Sequence, residues 1–253
     1  MANPQTQIAA QLLSTKSLAV SPTWLDNFLS SSSASSIQQR NIPISALTQT
    51  ALFRVLASDF RDSLTTTTAN LLPVDISDPT VKERRINGPI PLQVLDIEDI
   101  GTSLWSQVEA IERVERGEAI RGREIVRTVN VDEDSEERAN HNNSGGSGGG
   151  GNGPHRLILQ DAAGTRTVAI ELRHINDIAI GKLPIGAKLI LRNATVARGM
   201  LLLSPECVTL LGGKMEAMDR AWREGRKERL LARVTEMNRE QRRPGNGEDA
   251  MEE

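Results

Sequence analysis

The sequence predicts an α+β fold: an N-terminal three-helix bundle, then a five-stranded β-barrel with a long loop between its first two strands, then a C-terminal helix. Three observations carry that prediction. Apolar residues recur at helical spacing through residues 1–70. From about residue 90 the chain instead offers short runs of Val, Ile, Leu and Thr, each bounded by Gly or Pro. The clearest of these is LPIGAKLILRNATVARGMLLLSPECVTLLGG, residues 183–213. It reads as two apolar strands joined at Arg198-Gly199, with Pro184-Ile185-Gly186 leading into the first.

Taken in order, Ile8, Ala9, Leu12 and Leu13 form one short stripe. Pro22 then opens a second helix whose Trp24, Leu25, Phe28 and Leu29 share a face. A serine-rich stretch, Ser30 to Ser33 with Ser35 and Ser36, ends it. A third helix starts around Asn41-Ile42-Pro43 and carries Ile44, Leu47, Ala51, Leu52, Val55, Leu56 and Phe60 at helical spacing. The rings of this bundle read as core.

After Leu71-Leu72-Pro73 the chain becomes extended. PLQVLDIEDI, with Leu92, Val94 and Ile97, is the first barrel strand, and Leu104, Trp105, Val108 and Ile111 form a helical stripe capped by Thr102 or Ser103. Residues 112–155 form the insertion: a mixed segment, an acidic run, then the linker composition of HNNSGGSGGGGNG. RLILQDAAGTRTVAIEL reads as a hairpin turning at Asp161-Ala162-Ala163-Gly164, and INDIAIGKL as a helical link to the last two strands. That is the strand order of an OB barrel. A closing helix runs from Lys214 to about Asn238, burying Met215, Met218, Trp222, Leu230, Leu231 and Val234. The domains are therefore 1–70, helical; 71–238, barrel with its 112–155 insertion; and 239–253, a polar tail that reads as disordered.

Composition narrows the function. The formal net charge is −3 and the single cysteine, Cys207, lies in an apolar run, so nucleic acid is not the default partner and no disulfide framework exists. No segment reads as a membrane span or a secretory leader, and the chain reads as soluble and intracellular. No catalytic constellation assembles from His141, His155, His174 and Cys207, and the Gly-rich run lacks the lysine and the following helix of a phosphate loop. The expectation is a protein that is not an enzyme and holds no cofactor, metal or small-molecule substrate. Nor do the barrel strands contain a Phe, Tyr or Trp for stacking bases, the usual basis of single-strand binding by such barrels. Basic residues remain, among them Arg223 and Lys227 of the closing helix, and they define the alternative reading: a single-stranded DNA-binding OB protein. Interleaved acids make a charged outer face the simpler account of that helix.

An ordered series of short motifs adds to this. Leu72-Pro73, Ile86-Asn87-Gly88 and Leu92-Gln93 are followed by Arg156-Leu157-Ile158-Leu159-Gln160, then by Leu183, Pro184, Gly186 and Lys188. Gly199, Leu201, Leu202, Leu203, Pro205 and Glu206 come next, and Leu211-Gly212-Gly213 closes the set. The series resembles the RecQ-mediated genome instability (Rmi) family; Ile185 and the Asp161–Gly164 turn depart from its pattern. The chain looks like the short form of the family, without a second barrel. The resemblance implies a non-catalytic nuclear partner of topoisomerase III, a type IA enzyme. With a RecQ-family helicase it would promote decatenation and dissolution of double Holliday junctions, touching DNA weakly or through the complex. It implies that the insertion reaches the topoisomerase gate, with docking contacts expected at Ile120, Ile125 and Val126. Pro184 and Lys188 are expected on the barrel surface that meets the enzyme, Lys188 as an exposed positive charge held by the rigid turn before it.

Overall fold

The computed structural model describes residues 3–30, 43–117 and 153–241. Helix α1 (Pro4–Lys16) starts behind Asn3, whose side chain accepts from the Gln5 amide, and α2 (Pro22–Ser30) starts on Pro22 as expected. Helix α3 (Ile44–Ala57) ends earlier than its apolar period predicts. Asp59 intervenes: its carboxylate accepts from the Arg61 amide and starts a separate short helix, α4 (Phe60–Ser63). Phe60 still reaches the same core, where Ile8, Leu12, Leu25, Leu47, Ala51 and Val55 are buried together. Trp24 and Phe28 stack at its margin with centroids 5.7 Å apart.

Eight strand segments follow: β1 (Arg84–Ile86), β2 (Ile90–Asp99), β3 (His155–Gln160), β4 (Arg166–Glu171), β5 (Lys188–Leu191), β6 (Ala194–Ala197), β7 (Met200–Leu203) and β8 (Val208–Gly212). The sequence predicts five, and two breaks and one added strand account for the difference. The first of the two final strands breaks at Arg192-Asn193, where Asn193 is left-handed (φ 49°) and donates its amide to the Asn87 carbonyl. The second breaks at the Ser204–Cys207 turn, which the Cys207 amide closes onto the Ser204 carbonyl. Rejoined, β5 with β6 and β7 with β8 are the two predicted strands; β1 is an addition on the β6 edge.

The pairings then run in a ring. β2 pairs antiparallel with β3, and β3 with β4; β4 pairs parallel with β7, and β7 antiparallel with β6. β6 continues back into β5, which pairs with β2. The long β2 serves two neighbours by bulging between Val94 and Asp96. Inside lie Leu92, Val94, Leu157, Leu159, Leu189 and Leu201, all fully buried. The link between β4 and β5 is a series of turns and not the expected helix; the amides of Ile178 and Lys182 each bond three residues back.

Strand β5 decides how the bundle is placed on the ring. Its residues alternate: Leu189 and Leu191 belong to the barrel core, whereas Ile190 is buried in the helical core. The strand is therefore covered on both faces.

Helix α5 (Leu104–Glu115) is capped by Ser103, whose hydroxyl accepts from the Ser106 amide. Val108 is buried, but Trp105, expected on the same stripe, is 60% exposed. The predicted closing helix is two helices, α6 (Glu216–Glu224) and α7 (Arg226–Gln241), parted at Gly225. Met218 and Trp222 pack on the barrel core, and Leu230 and Val234 are buried. The chain divides into two compact units, residues 1–102 with 151–226, and residues 103–150 with 227–253. The expected serine break after Ser30, most of the insertion and the tail from residue 242 lie outside the described residues.

Candidate functional site

The turn at residues 183–188 is built from backbone bonds that leave it little freedom. The Gly186 amide donates to Val94 O at 2.8 Å, and the Val94 amide donates to Ala187 O at 2.9 Å. Gly186 has φ +84°, and a Cβ there would lie 2.5 Å from the Met215 amide nitrogen, so both conformation and space require glycine. The Ile185 amide donates to Asp219 Oδ1 (2.9 Å), a buried carboxylate from α6. Pro184 is half-buried at the head of this turn.

Lys188 is not exposed. It is fully buried, because β5 lies between the barrel and the helical layer, and this corrects the expectation of a surface charge. Its Nζ donates to Gln93 Oε1 at 2.8 Å and sits 4.6 Å from the centroid of the Phe60 ring. Burial pushes the ammonium down to about 8, against the opposing pull of Asp59.

Gln93 is the hub of this contact. Its Oε1 also accepts from the Phe60 amide (3.0 Å), while its Nε2 donates to Asp59 Oδ1 (2.9 Å) and to Gln160 Oε1 (3.1 Å). Every hydrogen-bonding position of that side-chain amide is thus filled. Burial would raise the Asp59 pKa, but bonds from the Arg61 side chain and amide and from Gln93 outweigh it and hold Asp59 at about 2. The five residues lock helix α4 to strands β2, β3 and β5. Sequence reasoning missed this lock, although two glutamines inside otherwise apolar strands were its visible sign.

The root of the insertion is equally fixed. The Ile100 amide donates to Pro154 O at 3.0 Å, and a Cβ on Gly101 would lie 2.7 Å from the Gly153 Cα. One residue beyond Pro154, the His155 ring sets Nδ1 2.7 Å from Glu171 Oε2, both side chains being buried. Glu171 also accepts from the amides of His155 and Ile175, which pins the start of β3 to the end of β4. Ile120, Ile125 and Val126 lie outside the described residues.

The two basic residues of the DNA alternative are engaged within the chain. Arg223 Nε lies 2.9 Å from Asp219 Oδ2, the carboxylate that holds the Ile185 amide, and Lys214 reaches the same oxygen at 3.3 Å. Lys227 Nζ lies 2.6 Å from Glu115 Oε2 and 3.4 Å from Glu112 Oε1. The hydrogen bond that Lys227 donates to Glu115, with the charge of Glu115 and the bond to and charge of Glu112, raises the Lys227 pKa despite desolvation. Among the described residues no group of His, Cys, Asp and Glu is placed to hold a metal ion, and no helix is long and apolar enough to cross a membrane.

Comparison with known proteins fits this geometry. The family model described as the RMI1 N-terminal OB-fold domain matches residues 72–226, and that of the RMI1 N-terminal helical domain matches residues 12–63. The chain belongs to the RMI1 family. It is also similar to RecQ-mediated genome instability protein 1 of Schizosaccharomyces pombe (strain 972 / ATCC 24843), with 30% identity over 172 residues, covering 66% of this chain and 71% of that protein. Within an RMI1 OB-fold domain the ring of β2, β3, β4, β7/β8 and β5/β6 is the barrel itself. The Gln93–Lys188 lock joins that barrel to the family's helical domain.

Proposed function

We propose that this chain is a non-catalytic scaffold of the RecQ genome-stability pathway that binds topoisomerase III. With a RecQ-family helicase it promotes decatenation and double Holliday junction dissolution, acting in the nucleus. The observation that carries the reading is family membership over both the helical and the barrel portions, together with the ordered motif series that runs through them. The physical site supports a scaffold: the barrel strands offer no ring for base stacking, and Arg223 and Lys227 are occupied by carboxylates of the same chain. In this reading the barrel is the dock and the insertion is the regulator, with Ile120, Ile125 and Val126 meeting the topoisomerase gate. A segment that contacts one gate state better than another shifts that equilibrium by its differential affinity. Pro184 sits at a rigid turn and keeps its place on the docking surface. Lys188 acts from beneath, by fixing the strand.

The test is a pull-down of the host topoisomerase III with the intact chain and with residues 118–152 replaced by a short linker, each complex then being assayed for decatenation. The expected result is binding by both forms and stimulation by the intact chain alone. Failure of both forms to bind, combined with tight binding of a labelled single strand at physiological salt, would move the reading to a single-stranded DNA-binding protein.

A further inference from the structure

The chain contains two Ser-Pro pairs, Ser21-Pro22 and Ser204-Pro205, and no Thr-Pro. A proline directly after a hydroxyl residue is the minimal feature by which proline-directed protein kinases select a substrate, since its ring brings no N–H that would go unpaired. The structure separates the two pairs. Ser21 leads into α2: its amide donates to Ser63 O (2.9 Å), its carbonyl accepts from the Leu25 amide (3.0 Å), and Leu25 is buried. Ser204 is half-buried in the Ser204–Cys207 turn between β7 and β8, where Pro205 and Glu206 are exposed. The turn is closed by the Cys207 amide on Ser204 O (3.1 Å) and by the Ser204 amide on Cys207 Sγ (3.2 Å). Drawing Ser204 into a kinase breaks that local closure, whereas Ser21 would require α2 to unwind from its core.

The surroundings of Ser204 already handle charge. Its hydroxyl bonds the Glu206 carboxylate and, with the Glu206 amide and Arg173, holds that carboxyl below its usual range. Arg173 Nη2 in turn pairs with Glu206 Oε2. The backbone fixes where Arg173 stands: the amides of Leu172 and Arg173 both donate to Leu203 O (2.8 and 3.4 Å), the carbonyl of the peptide bond that leads into Ser204. The Arg173 side chain is 61% exposed and has room to turn. From Ser204 Oγ to Cys207 Sγ the separation is 3.7 Å, too long to commit the oxygen to the core.

We propose that Ser204 is the acceptor of a proline-directed protein kinase and that Arg173 receives the phosphate within the chain. In the transfer Ser204 Oγ bonds to the γ-phosphorus of ATP and the bond from that phosphorus to the bridging β-phosphate oxygen breaks. ADP leaves and the hydroxyl proton passes to solvent. A hydroxyl that donates to Glu206 thereby becomes a group of charge about −1.5 to −2 at neutral pH. Glu206 loses a bond and meets a like charge, while the Arg173 guanidinium offers the forked N–H donors that suit a phosphate. The pairing passes from Glu206–Arg173 to phosphate–Arg173, and the carboxylate turns to solvent. This modification is independent of the scaffold reading.

The test uses the full chain, ATP and a purified mitogen-activated protein kinase, with the phosphate placed by mass spectrometry and the fold of each variant checked by a melting curve. The expected result is incorporation at Ser204, lost in S204A and in P205A and retained in S21A. A second measurement follows the phosphorus NMR signal of the modified chain against pH. Its midpoint should lie lower with Arg173 present than in R173A, because a neighbouring cation favours the dianion. Absence of phosphate from Ser204 in the folded chain overturns the site, and incorporation at Ser21 in preference to Ser204 reverses the assignment. Coincident titrations overturn the role of Arg173. None of these results alters topoisomerase binding, so the scaffold reading is decided separately by its own pull-down.

Discussion

Strands β4 and β5 carry nearly the same local signature, apolar side chains on both faces, yet they meet different surroundings. On β5 the outer residues Lys188 and Ile190 are buried under the helices, Ile190 within their core. On β4 the outer residues Val168 and Ile170 join neither core among the described residues. A two-sided apolar strand requires cover without specifying whose. For β5 the same chain supplies it, and the strand becomes part of stability. For β4 neither core among the described residues supplies it, so its outer face contributes little to stability.

Substitutions at the two strands should separate these roles. Ile190→Ala removes a buried side chain from the helical core and is expected to cost about 2 to 5 kcal/mol in chemical denaturation, with the slope unchanged. A loss below about 1 kcal/mol would mean that the bundle does not hold β5 as described.

Lys188 gives the next largest effect and a definite sign. Its folded pKa, about 8, lies below the ordinary lysine value of 10.5, so between those values the unfolded chain binds more protons and stability rises with pH. The wild type should gain on the order of 3 kcal/mol relative to Lys188→Met as pH goes from 8 to 10.5, a pH profile of denaturation midpoints being the readout. Parallel profiles for the two proteins would show that the lysine is solvated.

Asp59 has the opposite pH window and a smaller effect. Its pKa of about 2 lies below the ordinary aspartate value of 3.8, so its contribution is complete above pH 3.8 and is lost as pH falls through 2. Asp59→Ala should cost about 1 kcal/mol at neutral pH through loss of the α4 cap. That difference should shrink on acidification below pH 4, which thermal melts of both proteins would follow. The smallest change belongs to β4's border: Leu172→Asp should shift unfolding by no more than about 0.5 kcal/mol. A larger shift would place Leu172 under cover from this chain.

The contrast also explains what could be read in the sequence. Strand positions were legible because Leu-Ile-Leu and Leu-Leu-Leu runs between glycines and prolines are local signals. The breaks at Asn193 and Ser204 were not, since the first depends on an Asn87 carbonyl more than a hundred residues away. The burial of Lys188 was invisible for a related reason: nothing near it announces that Phe60 and Gln93 stand above it. A lysine in an apolar strand, with one glutamine in the adjacent β2 and another in the β3 beyond it, is the nearest thing to a local clue. Trp105 misled in the other direction: it lies three residues from buried Val108, about 60° round the helix, yet is exposed.

The backbone contact between Gly101 and Gly153 has a consequence for how the protein can change over time. The chain leaves the barrel and returns to it at nearly one point, so the segment between is a closed excursion whose ends do not move with its length. Doubling the length of a connection costs only about 0.6 kcal/mol in closure entropy. Relatives are therefore free to lengthen, shorten or rewrite the excursion while the barrel beneath it keeps its register.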